Sequence, residues 1–121
     1  MAVGMAAAES NQALTDLSGV YTFIQLHIGD PGAAGTANIA TETRRMSVTW
    51  NAPAGGSMDN GTAATWTDVP ALEDFTHFSA WSASTSGTFG FSGLVTASAV
   101  VAGDTFSIPA GGATAAITTA A

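Results

Sequence analysis

A histidine, a serine and an aspartate lie close together in residues 74–81, and these three residue types can form a nucleophilic triad. A catalytic serine needs a base within hydrogen-bond reach and donors that stabilise an oxyanion. In an extended strand His77 and Ser79 share one face, but their Cα atoms are about 7 Å apart and their side chains run parallel. The spacing therefore favours a structural histidine, and we expect no catalytic residue near Asp74.

Two further groupings resemble ligand sites only superficially. Gly29, Gly32 and Gly35 are spaced as in a phosphate-binding loop, but no lysine follows and Asp30 would repel phosphate. We therefore interpret this segment as a turn. His27, at the end of the preceding strand, is also expected to be structural.

Acidic residues in or beside loops could hold calcium only if several converge, and their scattered spacing favours solvated side chains: Asp59, Asp68, Glu73, Asp74 and Asp104. No metal or cofactor is predicted.

The arginines and two leucines are instead candidates for assembly contacts. Arg44 and Arg45 are the only arginine or lysine residues of the chain, against nine acidic residues. They either pair with acids of the same chain or contact another subunit. Leu14 and Leu17 form the thin apolar stripe of a helix predicted over residues 5–18, which Gly19 ends. They either contact a neighbour or cap one end of the same chain's fold.

Composition excludes several classes of function. The net charge is −7, so the surface repels nucleic acid and anionic membranes, because binding to phosphate needs cations. Charged residues make up only 9% of the chain, and such a surface is typical of a protein packed against neighbours. Cysteine is absent, which rules out a disulfide framework. No segment approaches the roughly 20 apolar residues of a membrane span.

Short strands separated by turn residues follow the helix. Residues 20–28, 45–50 and 62–69 alternate or carry β-formers, and glycine, proline, asparagine and aspartate bound them. Residues 75–81 carry aromatic side chains on both faces, which predicts a central strand covered on both sides. Its hairpin partner begins near residue 87, and we expect Phe89 and Phe91 to share one face of that strand. Residues 105–108 and 113–119 complete about seven strands, whereas residues 33–43 and 51–61 read as long loops.

This pattern predicts a mainly β protein: an antiparallel β-sandwich or jelly roll of about seven strands with one N-terminal helix. A small closed barrel is the alternative. We expect residues 1–19 to be a helical assembly arm and residues 20–121 to be the sandwich domain. At least two of the three tryptophans should be buried, and six apolar residues should lie in the core: Ile24, Leu26, Val48, Phe78, Leu94 and Ile108.

Several motifs in this order resemble a family of small virion proteins of tailed bacteriophages, especially phages of actinobacteria. They are LHIGDPGAAGTAN at 26–38, an alternating strand from Arg45 to Trp50, THFSAW at 76–81, FSG at 91–93 and GDTFSIPAGG at 103–112. Members are tail-fibre-like or minor tail proteins, and others resemble capsid decoration or minor capsid proteins. The resemblance implies a β-sandwich, a structural role and a place in the virion.

The preferred hypothesis is a non-enzymatic capsid decoration or minor capsid protein that stabilises the phage head. It would be assembled in the bacterial cytoplasm, form homo-oligomers, and contact the major capsid protein or tail proteins. A minor tail or fibre-base protein is the alternative. A carbohydrate-binding adhesion module is a third hypothesis, which requires an exposed pair among Trp50, Trp66 and Trp81.

Overall fold

The computed structural model describes residues 5–116, without the side chains of residues 96–98 and 115–116. This part of the chain is mainly β, with one helix and eight antiparallel strands. The elements in chain order are α1 (Ala7–Ser18), β1 (Phe23–His27), β2 (Met46–Ser47), β3 (Ser57–Asp59), β4 (Ala64–Trp66), β5 (Glu73–Trp81), β6 (Phe89–Val100), β7 (Phe106–Ile108) and β8 (Thr114–Ala116). The predicted fold class is confirmed, since the layout is that of a sandwich with an N-terminal helix.

The main sheet has the strand order β2-β1-β5-β6. β5 is therefore a central strand, as its aromatic pattern predicted. It pairs with β1 on one side and with β6 on the other. Phe75 and Phe78 of β5 are both fully buried and belong to the same core cluster. Phe75 packs against Phe106 with ring centroids 4.9 Å apart, and Phe78 packs against Trp50 at 6.3 Å.

Two small sheets complete the fold. β4 pairs with β7, and β3 pairs with β8. β3 lies within residues 51–61, which the sequence predicted to be a loop without a strand. The glycines and asparagine around it are turn residues, and only its pairing with β8, more than fifty residues later, makes it a strand. The end of the predicted last strand, residues 117–119, lies outside the described residues.

The ladder between β5 and β6 has two irregularities, which change the faces predicted for β6. Trp81 pairs with Phe89, but the next pair is Ala80 with Phe91, so Gly90 is an extra residue. Phe89 and Phe91 consequently lie on opposite faces rather than sharing one. Phe89 packs on Trp81 at 5.5 Å.

The same register corrects the core position predicted for Leu94. Gly93 pairs with Phe78, whereas Leu94 pairs with His77 on the other face and is 68% exposed. A Cβ atom at Gly93 would lie 2.7 Å from the ring of Phe78, so only glycine leaves room for that ring. The other five predicted core residues are buried: Ile24, Leu26, Val48, Phe78 and Ile108.

The helix contributes to the same core. Leu14 is 1% exposed and belongs to the buried cluster, and Leu17 packs partly buried against it. The backbone amide of Gly56 donates to the Asn11 side chain at 2.9 Å, which fixes the helix beside β3. The helix begins two residues later than predicted. Gly19 follows it with a right-handed φ of −83°, not with the left-handed conformation typical of a C′ glycine.

We predict that replacing Phe78 with alanine lowers the free energy of unfolding by about 3–5 kcal/mol, because a fully buried ring leaves a cavity between Trp50 and Phe91. Leu94→Ala is the control, and its effect should stay within about 0.5 kcal/mol because that side chain is exposed. Urea unfolding followed by tryptophan fluorescence measures both. Equal losses in the two variants would contradict this register.

Candidate functional site

The most chemically distinctive part of the molecule is a buried row of polar side chains on the face of the main sheet opposite Phe78. His27 of β1 and Ser79 of β5 are both fully buried, and the His27 Nε2 and Ser79 Oγ atoms are 2.7 Å apart. The indole N–H of Trp81 donates to the same Oγ atom at 2.7 Å. The other ring nitrogen, His27 Nδ1, lies 2.8 Å from the carbonyl oxygen of Ala37.

These three contacts determine which nitrogen of a neutral His27 ring carries the hydrogen. A carbonyl oxygen only accepts, so His27 Nδ1 carries a hydrogen and donates it to Ala37. In the neutral ring, His27 Nε2 accepts from the Ser79 hydroxyl, which itself accepts from Trp81. Desolvation by burial lowers the pKa of His27 below 6.5, and the nearby His77 lowers it further. The neutral form is therefore the one that the fold holds.

The serine–histidine contact differs from the one that sequence spacing suggested. Antiparallel pairing places His27 opposite His77 and Gln25 opposite Ser79, so Ser79 is diagonal to His27 across the strands. His77 instead contacts the hydroxyl of its neighbour Thr76 at 2.8 Å. The partner of Ser79 lies 52 residues away in sequence. Only the strand register could have identified it.

The geometry of this pair does not suit nucleophilic catalysis. The Ser79 oxygen is fully buried and already accepts a hydrogen bond from Trp81, so a substrate carbonyl has no path to it. His27 is oriented by a backbone carbonyl rather than by a carboxylate. Asp74 is exposed and far along the strand. The arrangement satisfies buried polar groups, as a folded interior requires.

A loop made of residues 28–40 covers this row. It contains the glycine segment predicted to be a turn, and the Asp30 carboxylate accepts the Gly32 amide at 2.9 Å, as in an Asx turn. Gly35 has a φ of +72°, and a Cβ atom there would lie 2.4 Å from the ring of Phe89. The loop therefore packs directly on Phe89 and shields His27 from solvent.

Arg45 closes the other end of the row. Its guanidinium lies 4.0 Å from the centroid of the Trp81 ring, and its Nε atom donates to the Gln25 side chain at 3.1 Å. The same guanidinium donates to the carbonyl oxygens of Ala83 and Ser86, at 3.0 and 2.6 Å. Arg45 thus fastens the β5–β6 hairpin loop onto the sheet.

Arg44 forms an ion pair within the chain. Its Nε and a terminal nitrogen donate to both carboxylate oxygens of Glu42, at 2.9 and 2.7 Å, and the terminal nitrogen also donates to the Thr67 carbonyl. The Glu42 side chain is only 2% exposed, whereas that of Arg44 is 48% exposed. The hydrogen bonds from Arg44 lower the pKa of Glu42 despite its burial.

All three tryptophans are buried, at 8% exposure for Trp50, 0% for Trp66 and 8% for Trp81. Each indole N–H has a partner in its own chain: the carbonyl of Tyr21 for Trp50, the carbonyl of Arg44 for Trp66, and Ser79 for Trp81. The prediction of at least two buried tryptophans is confirmed. An exposed tryptophan pair, which the carbohydrate-binding hypothesis requires, is not found.

The predicted assembly residues all make contacts within the chain. Leu14 lies in the core, Leu17 packs against it, Arg44 pairs with Glu42, and Arg45 stacks on Trp81. Their contacts with another subunit, and the assignment of residues 1–19 as an assembly arm, stay predictions.

Within residues 5–116 the structure brings together no group of three or more histidine, aspartate or glutamate side chains that could hold a metal ion. The predicted loop acids do not converge on one point there. In the same residues, no helix has the length and apolar character needed to cross a membrane.

The described residues form a small β-rich domain in which His27, Ser79 and Trp81 are hydrogen-bonded inside the fold. Comparison with protein families shows the class to which it belongs. Residues 5–116 match the model of the podophage GP4 fiber I protein gp80 family, and the chain belongs to this family. It is thus a phage virion structural protein. No match was found among curated proteins.

This match supports the alternative hypothesis, a minor tail or fibre-base protein, better than the preferred hypothesis of a capsid decoration protein. It names a fibre protein, which agrees with the minor tail or fibre-base reading. It gives no specific support to capsid decoration, and none to an actinobacterial phage.

We predict that His27 makes stability depend on pH. Its folded pKa lies below the unfolded value of 6.5, so the unfolded state binds more protons as pH falls through this range. The free energy of unfolding should therefore be highest above pH 6.5 and decrease as pH falls toward the folded pKa, by at most about 1.4 kcal/mol per pH unit.

Urea unfolding at several pH values tests this in the wild type and in His27→Gln, which removes the titrating ring. The variant should be less stable and should show a shallower decrease. His77→Gln is the control and should keep most of the wild-type slope. If His27→Gln and the wild type had the same slope, the account of the neutral ring would be wrong.

Proposed function

We propose that this protein is a subunit of a fibre on a podophage virion. The observation that carries the proposal is the family match, which spans residues 5–116 and so includes α1 and all eight described strands. A match over the complete described fold supports a shared role for the whole domain rather than for one short motif.

The interior supports a role that does not involve catalysis. The pair of Ser79 and His27 is inaccessible, because both side chains are fully buried and hydrogen-bonded within the fold. The guanidinium of Arg45 is occupied by an aromatic ring, a side-chain amide and two carbonyls. These groups tie loops to the sheet, which is what a rigid building block needs.

The surface supports packing against other virion proteins. Charged residues are only 9% of the sequence, and several large apolar side chains of the described part are exposed, among them Leu72 at 74% and Leu94 at 68%. Burial of such side chains against a neighbour is favourable by about 25 cal/mol per Å². We infer that the subunit associates with other fibre or tail proteins and with copies of itself.

The fibre assignment predicts where the protein lies in the particle. A phage carrying a peptide tag on this chain should bind gold-labelled antibody on fibres that project from the virion. Electron microscopy of purified particles measures the label, and untagged phage controls for background. Label distributed evenly over the head lattice would contradict the fibre assignment and support capsid decoration.

A further inference from the structure

The outer edge of β6 is unpaired among residues 5–116. β6 is a twelve-residue strand at one end of the main sheet, and among the described residues it pairs only with β5. β8 comes close to β6 at Gly93, where the Thr114 carbonyl would be 2.8 Å from an added Cβ, but β8 pairs with β3. At Gly93, β8 therefore lies over the face of β6, and no described residue pairs with the outer edge. A free edge presents backbone donors and acceptors that another strand can use.

This edge lacks the side chains that commonly prevent strand pairing. No Asp, Glu, Lys or Arg occurs between Asp74 and Asp104, and β6 contains no proline. Charged side chains and prolines are the usual means of blocking an edge. In the described part of the chain, the device that limits pairing is the pair of irregularities in the ladder with β5. They confine regular pairing to residues 91–94 and to residues 98–100.

The segment 91–94 also has exposed side chains on one face. Ser92 and Leu94 are both exposed, and Leu94 pairs with His77 on that side of the sheet. An apolar side chain that is 68% exposed in the middle of an uncharged edge would gain burial if a strand lay beside it.

We propose that β6 pairs with β6 of a second copy of this chain, antiparallel, along residues 91–94, to join two main sheets into one. A strand that pairs with itself in antiparallel orientation is self-complementary, so a two-fold axis satisfies both edges at once. Charge favours a second copy at this place. Two chains that each carry −7 repel one another, and β6 is a surface where no acidic side chain of one chain need face an acid of the other.

The size of this contact sets its strength. A pairing of about four residues from each chain is smaller than the roughly 1,600 Å² of a standard stable interface. We therefore expect a concentration-dependent equilibrium in solution, which becomes effective where copies are held close together. This self-association does not depend on the fibre assignment, because it follows from the open edge alone.

Sedimentation of the wild type over a wide concentration range tests the proposal. Leu94→Glu places a carboxylate on the edge, and in the pair two such charges would lie close together, so this variant should remain monomeric where the wild type dimerises. Leu72→Glu is the matched control. This variant replaces a similarly exposed leucine and has the same net charge as Leu94→Glu. Residue 72, however, lies about 17 Å along the sheet from Leu94.

Leu72→Glu should dimerise like the wild type. Hydrogen exchange of the wild type gives a second measurement that needs no variant: amides of residues 91–94 should exchange more slowly at high concentration. A wild type that stays monomeric throughout, an equal loss of dimer in both variants, or slower exchange confined to another element would overturn the proposal.

Discussion

The fold depends on β5 being buried on both faces. One face carries Phe78 and Ala80 against the aromatic core, and the other carries Ser79 and Trp81 beneath two loops. A strand in this position cannot present an unpaired polar group, because a buried donor or acceptor without a partner costs about 1–3 kcal/mol. The row from Ala37 through His27 and Ser79 to Trp81 meets that requirement, since each group in it has a partner.

The same requirement explains how loops without secondary structure are held in place. Residues 28–40 are fixed by the ring of His27 and by packing on Phe89, and the hairpin loop after β5 is fixed by Arg45. A chain with few large apolar side chains gains limited stability from its core. Specific hydrogen bonds to loop carbonyls therefore order segments that hydrophobic burial alone would leave loosely packed.

Local sequence patterns predicted the parts of this structure that local physics determines. Alternation and turn residues placed β1 and β5, and aromatic side chains on both faces identified β5 as central. The misplaced features depend on long-range register. Leu94 was predicted to be buried because the irregularities that turn Gly93 toward Phe78 leave no mark in the sequence. The His27–Ser79 contact likewise exists only because β1 pairs with β5.

The central claim is that the hydrogen bonds of the buried serine and histidine maintain the fold. A phage carrying Ser79→Ala tests it most directly, because the change removes the hydroxyl that links His27 to Trp81. The measurement is infectivity per particle, normalised to the amount of folded variant incorporated into virions. We predict lower stability but unchanged infectivity per incorporated copy. Particles that contain normal amounts of folded variant and yet fail to infect would contradict the claim.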